Sequence, residues 1–423
     1  MLGLVLTAGG ARGAYQAGVL KRLGEIPALR DRPSPFAIVT GASAGAINGT
    51  AVAGGDGTFH EVTAQLAALW SALRVEDVFR TDLVSLGWGA TGLLRDMLLG
   101  GLLGHTVTQA LFDTSPLRVF LRAKLPLGGI TDSIRRGHLY AVAVSATSYH
   151  SGRSFTFVQG RDGHPVWSKS RRVVLPVHIT LDHVLASAAI PMVFPPVRVR
   201  SAAGDLYFGD GALRLVTPFS PAIRLGADRV LAVGVRSQRA ADNLTREELA
   251  TAEESGAADT ILPPPPLAQI CGVFLNAIFL DHLDGDLDHL RRMNELILAY
   301  GELETRKASP GGAARVSEPM RLVTPLVVCP SEDLAMVAQR FAHRMPRVVR
   351  FVMDGLGTPD AQSADLMSYL LFDAAYTRAL VDIGHRDASE RIEEIEGFLG
   401  VARPARSQGR VRAGGGVRER AAG

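Results

Sequence analysis

The chain has 423 residues, 47% hydrophobic and 21% charged, a globular composition that excludes overall disorder. A formal net charge of +3 is too small to imply a nucleic-acid partner, though it suits an anionic surface. Two cysteines, Cys271 and Cys329, allow neither a disulfide framework nor a cysteine-based metal spacing, and they fit a reducing compartment.

Leu2 to Leu6 is a short apolar run without a basic leader or cleavage site, so it reads as a strand and not as a signal peptide. It enters Thr7-Ala-Gly-Gly-Ala-Arg-Gly13, after which Ala14 to Leu23 reads as a helix. Phe36 to Thr40 is a second apolar run, followed by Gly41-Ala-Ser-Ala-Gly45 and a small-residue helix, Ala46 to Ala53. The repeated strand, tight turn and helix predict an α/β fold whose parallel sheet is covered on both faces. Leu83 to Leu111 is apolar and glycine-rich, readable as a buried helical pair or as a mobile lid. Leu139 to Ser145 and Ser154 to Val158 read as strands joined through Ser151-Gly152. His183 to Ala189 reads as a helix stopped by Pro191. Leu206 to Phe208 leads into Gly209-Asp-Gly-Ala212, and Arg229 to Val235 reads as a buried strand.

Ser237 to Thr260 is polar, and Pro263 to Pro266 should be extended. A long helix is expected from Leu267 to Tyr300, then a polar loop from Ser309 to Ala314 and a strand from Leu322 to Val328. Ser331-Glu-Asp333 offers a helix cap, with two or three helices following as far as Leu399. Residues 401–423 hold six arginines and one glutamate and read as a disordered tail. The division expected is one domain over 1–400, its motifs within 1–235 and a helix-and-strand extension over 260–400. No run reaches the roughly 18 apolar residues of a membrane span. The expected setting is cytoplasmic, at most peripheral to the inner membrane face.

Three short segments carry chemistry. Gly41-Ala-Ser43-Ala-Gly45 is a G-x-S-x-G match between strand and helix, where a sharp turn lifts Ser43 above the sheet and the next helix points its positive end at it. Gly9-Gly10-Ala11-Arg12-Gly13 exposes successive backbone N–H groups after a strand, as an oxyanion site for acyl transfer needs. A phosphate loop is the rival reading, but G-x-G-x-x-G and a Lys-Ser/Thr pair are both absent. Asp210, between Gly209 and Gly211, is a turn residue by itself and a base beside a serine nucleophile. Asp281, His282, Asp284, Asp286, Asp288 and His289 do not follow the order of a calcium loop and read as a solvated helix face.

Together these segments resemble the bacterial patatin-like phospholipase family. Gly9, Gly10, Arg12 and Gly13 match its glycine loop, Gly41 to Gly45 its serine motif, and Asp210, Gly211 and Ala212 its aspartate motif, in family order. Asp113-Thr-Ser-Pro-Leu117, Ala186-Ser-Ala-Ala-Ile-Pro191, Pro221 to Asp228, Phe274 to Asp281, Pro330 to Leu334 and Ser368-Tyr-Leu-Leu-Phe372 are similar to bacterial members as well. Thr7 stands where the family often has an acidic residue, and Val216-Thr-Pro218 where Asn-Thr-Pro is expected.

The resemblance implies a three-layer sandwich with a mostly parallel central sheet and additional C-terminal helices. It implies a lipid acyl hydrolase, of the phospholipase A or lysophospholipase kind, that needs no cofactor or metal. Its partner would be a lipid or another acyl ester. Ser43 would attack and Asp210 would take its proton without a histidine. The loop from Gly9 to Gly13, Ala11 and Arg12 included, would hold the oxyanion through the Gly9 and Gly10 N–H groups. Gly41, Gly45, Gly211 and Ala212 would shape the turns. An acyltransferase on the same fold and an inactive scaffold remain the alternatives. A Ser-His-Asp α/β-hydrolase is disfavoured because only one strand and helix precede the serine strand.

Overall fold

The computed structural model describes residues 1–80, 110–169, 171–201, 204–237, 282–306, 321–346, 349–350 and 360–401. The expected lid or helical pair, the proline run, the polar loop at 309–314 and the tail from 402 lie outside these residues, apart from Ala110 and Leu111.

One sheet of ten strands forms the middle layer: β1 (Leu2–Leu6), β2 (Ile38–Ala42), β3 (Ala141–Ser148), β4 (Ser154–Gly160), β5 (Ser168–Lys169), β6 (Arg172–Pro176), β7 (Val197–Ser201), β8 (Gly204–Gly209), β9 (Arg229–Val233) and β10 (Thr324–Val328). The order is β10-β9-β1-β2-β3-β4-β6-β5, parallel from β10 to β3, with β8 also pairing antiparallel to the end of β3 and carrying β7.

Period-two alternation builds the two cores. Leu4 and Leu6 of β1, Val142 and Val144 of β3, and Leu231 and Val233 of β9 enter the larger core. Val5, Ala141, Ala143, Val230 and Ala232 enter the smaller one. Helices Gly13–Gly24, Ala44–Gly54, Phe59–Ser71 and Ala374–Glu390 close the first face through Tyr15, Leu20, Val52, Leu66, Trp70 and Leu380. Helices Phe219–Leu225 and Leu283–Arg306 close the other through Phe219, Leu225, Leu283 and Leu287. The fold is therefore an α/β sandwich with a mostly parallel central sheet and further C-terminal helices, as the sequence implied. Among the described residues no helix is long and apolar enough to cross a membrane.

The differences from expectation have local causes. β3 runs on to Ser148 because Thr147 and Ser148 pair with Gly209 and Phe208 of β8, a partner the polar local sequence does not announce. The helix expected at His183 starts at Leu181, since Thr180 caps it in a box with His183. A further helix, Phe59–Ser71, is announced locally by its Thr58/Glu61 capping box. Asp333 is the expected cap and accepts the Ala335 N–H at 2.9 Å. Among the described residues four α-helices follow where two or three were expected, because Asp373 caps a new helix directly after Leu370. In the acidic cluster Asp286 is no solvated residue: it is buried, and its Oδ2 accepts the Phe219 N–H at 2.9 Å. No three His, Cys, Asp or Glu side chains converge among the described residues.

Candidate active site

β2 ends at Ala42 and the helix Ala44–Gly54 begins two residues later, so Ser43 alone makes the turn. Its φ of 54° and ψ of −127° lie in a region that L residues with a side chain rarely adopt. Serine at a helix start normally folds its hydroxyl back onto the first-turn N–H groups. Ser43 makes no such bond, and the turn leaves its hydroxyl for other work. Gly45 permits the turn, because its α-carbon lies against the Leu6 and Thr7 carbonyls where a Cβ has no room. The Ser43 N–H donates to Ser187 Oγ at 2.9 Å, and Ser187 Oγ donates to the Ser145 carbonyl at 2.6 Å. A fully buried serine on the helix Leu181–Ser187 thus pins the elbow to β3.

Asp210 follows β8 and is wholly buried. Its N–H donates to the Ala189 carbonyl at 2.8 Å, and its own carbonyl accepts from Thr147 Oγ1 at 3.0 Å. Carboxylate Oδ1 accepts the Ala212 N–H at 2.8 Å, which fixes the side chain. Oδ2 is buried and has no hydrogen-bond partner. Ser43 nevertheless stands near enough to favour the ionised carboxylate. Burial pushes the carboxyl up to about 6, against the opposing pull of the Ala212 N–H and the Ser43 hydroxyl. A contact of this kind is often loose without substrate and tightens when it binds.

The glycine loop sits beside the serine. Gly10–Arg12 forms a 3-10 turn with Gly10 at φ 51°, and the Gly10 α-carbon faces the Tyr369 carbonyl so closely that no Cβ fits. Within the turn the Arg12 N–H donates to the Gly9 carbonyl at 2.9 Å, and the Gly13 N–H faces the Gly10 and Ala11 carbonyls. Among the described residues no turn bond takes the Gly10 or Ala11 N–H. The Arg12 side chain, named with the loop from sequence, is buried against the C-terminal helix Asp360–Leu370.

Sequence reading missed what holds this loop. Gln16 Nε2 donates to the Thr7 carbonyl at 2.8 Å. Asn48 Nδ2 donates to the Gly13 carbonyl at 2.9 Å and to Gln16 Oε1 at 3.0 Å, while Asn48 Oδ1 accepts from Trp70 Nε1 at 2.7 Å. Both amides are fully buried. The available signal was a lone amide in each of two otherwise small or apolar helix faces. Val216, the other departure from the family pattern, is half exposed and does not enter the packing behind Asp210.

Gly10, Ser43 and Ala44 open onto one apolar cavity walled by Ile47, Leu69, Trp70, Leu73, Leu117, Phe120, Leu121, Ile190, Phe194 and Phe372. The helix Ala44–Gly54 directs its positive N-terminal end at this space. His183, the histidine on the helix that carries Ser187, is engaged elsewhere. Its Nδ1 accepts the Thr180 N–H at 3.0 Å, its ring lies 4.5 Å from Phe157, and burial pushes it down to about 4. His385 is bonded to Glu25 at 2.7 Å.

A doubly covered α/β sheet thus carries a serine elbow and a glycine turn on one apolar cavity, with a buried aspartate near the serine, the arrangement of a serine-hydrolase type of site. Residues 4–223 match the patatin-like phospholipase model, and the chain belongs to that family. No curated protein matches it. Among solved structures it is similar to VipD from Legionella pneumophila, with 16% identity, 59% of this chain and 52% of that chain covered, and a TM-score of 0.28. It is similar to the type III effector ExoU, with 16% identity, 58% and 44% covered, and a TM-score of 0.26. The ExoU–SpcU complex of the Pseudomonas aeruginosa type III secretion system matches with 20% identity over 46% and 37%, with a TM-score of 0.23. The chain spans about half or less of the length of these structures.

Proposed function

We propose that the protein hydrolyses acyl esters of lipids with a Ser43–Asp210 dyad. The observation that carries this is the Asp210 carboxylate. One oxygen is tied to the Ala212 N–H, the other is buried without a hydrogen-bond partner, and the Ser43 hydroxyl lies close enough to the carboxylate to favour its ionised form. Leaving an ionisable oxygen unpaired in a closed site is costly, and a proton-accepting role gives it a use. The apolar cavity reached by Ser43 suits an acyl chain, and a lipid presented at a membrane surface suits the family.

In this reading Asp210 takes the Ser43 proton as Oγ bonds to the ester carbonyl carbon. The Gly9, Gly10 and Ala11 N–H groups, with the first N–H groups of the helix Ala44–Gly54, hold the tetrahedral oxyanion. Collapse breaks the bond to the alcohol, which leaves with the proton from Asp210. Water then attacks the acyl-enzyme, Asp210 takes its proton, and the fatty acid leaves as Ser43 regains a proton. Arg12 and Gly13 lie in the loop, but their N–H groups serve its turn.

The test is a lipid-class screen with products read by mass spectrometry, on wild type and Ser43→Ala, together with phosphonate labelling. Ser43-dependent release of fatty acid and a label on Ser43 are expected. Hydrolysis that survives Ser43→Ala refutes the dyad. Acyl transfer to added alcohol in place of free fatty acid refutes hydrolysis as the main reaction.

A further inference from the structure

The family match ends at residue 223, yet the glycine turn is braced by residues more than 350 positions beyond it. The Arg12 side chain is 1% exposed and runs into the helix Asp360–Leu370. Its Nε donates to Ser368 Oγ at 2.7 Å, its Nη1 to Tyr369 Oη at 3.4 Å, and its Nη2 forms an ion pair with Asp365. The guanidinium carbon stands 4.2 Å from the centre of the Tyr369 ring. On the other side of the same turn the Tyr369 carbonyl presses on the Gly10 α-carbon, and Phe372, three residues further, walls the Ser43 cavity.

The chemistry of this arrangement is specific. A buried guanidinium must be paired, and its planar fork fixes direction as well as distance. Arg12 lies in the turn whose Gly10 lines the Ser43 cavity, so holding its side chain on several sides fixes how that turn is set against the cavity. A charge buried only for stability could sit anywhere in the core. This one sits one residue from Ala11 and two from Gly10.

We propose that Asp365, Ser368 and Tyr369 are positioning residues that act through Arg12 to aim the oxyanion donors of the glycine turn. The proposal rests on the dyad reading given above. It makes the helix Asp360–Leu370, outside the recognised family segment, a working part of the site.

The experiment measures kcat, KM and the pH profile on a soluble short-chain ester for wild type, Ser43→Ala, Asp365→Asn, Ser368→Ala and Arg12→Lys, with folding checked by circular dichroism. Asp365 Oδ2 has no partner, so Asn keeps the shape and removes the charge. Loss of a whole oxyanion donor costs roughly 10²- to 10³-fold in turnover. Misaiming one should cost less, about 10- to 100-fold in kcat for Asp365→Asn, with KM within about 3-fold. Ser368→Ala, the milder change, should lose a few-fold in kcat while folded. Arg12→Lys keeps the charge without the fork and should fall between them.

The pH limb set by Asp210 should stay in place in all three, because the base is untouched. Wild-type kcat in folded Asp365→Asn and Ser368→Ala overturns the proposal, as does a loss that only tracks the unfolded fraction. If Ser43→Ala also abolishes activity in that case, the dyad stands and the positioning role alone falls. If Ser43→Ala stays active, both fall.

Discussion

Replacing Asp210 by Asn separates the catalytic role proposed for this carboxylate from what its burial costs the fold. In the native state burial lifts the group from 3.8 to about 6, so the folded protein binds that proton more tightly than the unfolded chain does. The stability this confers is complete below about pH 4. It is lost as pH rises through about 6, because above that the native state must hold a buried carboxylate. At about 1.4 kcal/mol per pH unit of displacement, the loss approaches about 3 kcal/mol by neutral pH. Asn keeps an oxygen for the Ala212 N–H and cannot ionise. The variant should therefore gain about 3 kcal/mol on wild type between pH 4 and pH 8, whatever constant offset the new amide brings. Urea unfolding of both proteins across that range measures the difference, and the other titrating groups cancel in it. The same group as base should give wild-type kcat/KM an ascending limb near pH 6, while the variant is inactive. A stability difference that does not change with pH refutes the burial argument. A limb near pH 4 refutes the assignment of the limb to Asp210.

Ser43→Ala should lower hydrolysis of a soluble ester by at least about 10²-fold, whereas His282, His289, His343 and His385 should each tolerate change to Ala with modest loss; a folded histidine variant as defective as Ser43→Ala indicates a triad. Ser187→Ala strands the Ser43 N–H and the Ser145 carbonyl in the interior, so it should destabilise by about 1–3 kcal/mol in denaturant titration and lower kcat as the elbow loosens. Truncation after Ala402 removes six arginines and should weaken binding to anionic vesicles at low salt while sparing hydrolysis of a soluble ester; unchanged vesicle binding removes any membrane role for the tail. Hydrolysis should survive exhaustive EDTA, because the proposed dyad would supply both nucleophile and base; a collapse that calcium or zinc restores would implicate Asp284 and its neighbours.

The local features of the fold were written in the sequence. Strand, glycine turn and helix follow one another within about twenty residues at each of the first two turns, so periodicity and turn chemistry specify them without distant help. Ser43 between Gly41 and Gly45, and Asp210 between two glycines, were visible for the same reason. Sequence alone did not decide what these residues touch. What surrounds Asp210 depends on β8 pairing with β3, which buries its carboxylate near Ser43. Ser187 reaches Ser43 across 144 residues, and Arg12 reaches Ser368 across 356. Such contacts leave no periodic trace, since each is one polar side chain whose partner is chosen by the path of the chain around the sheet. Propensity and pattern act over a turn or two. Burial and pairing act wherever the tertiary fold brings groups together, and that is where the serine was oriented, the aspartate's proton affinity raised and the glycine turn fixed.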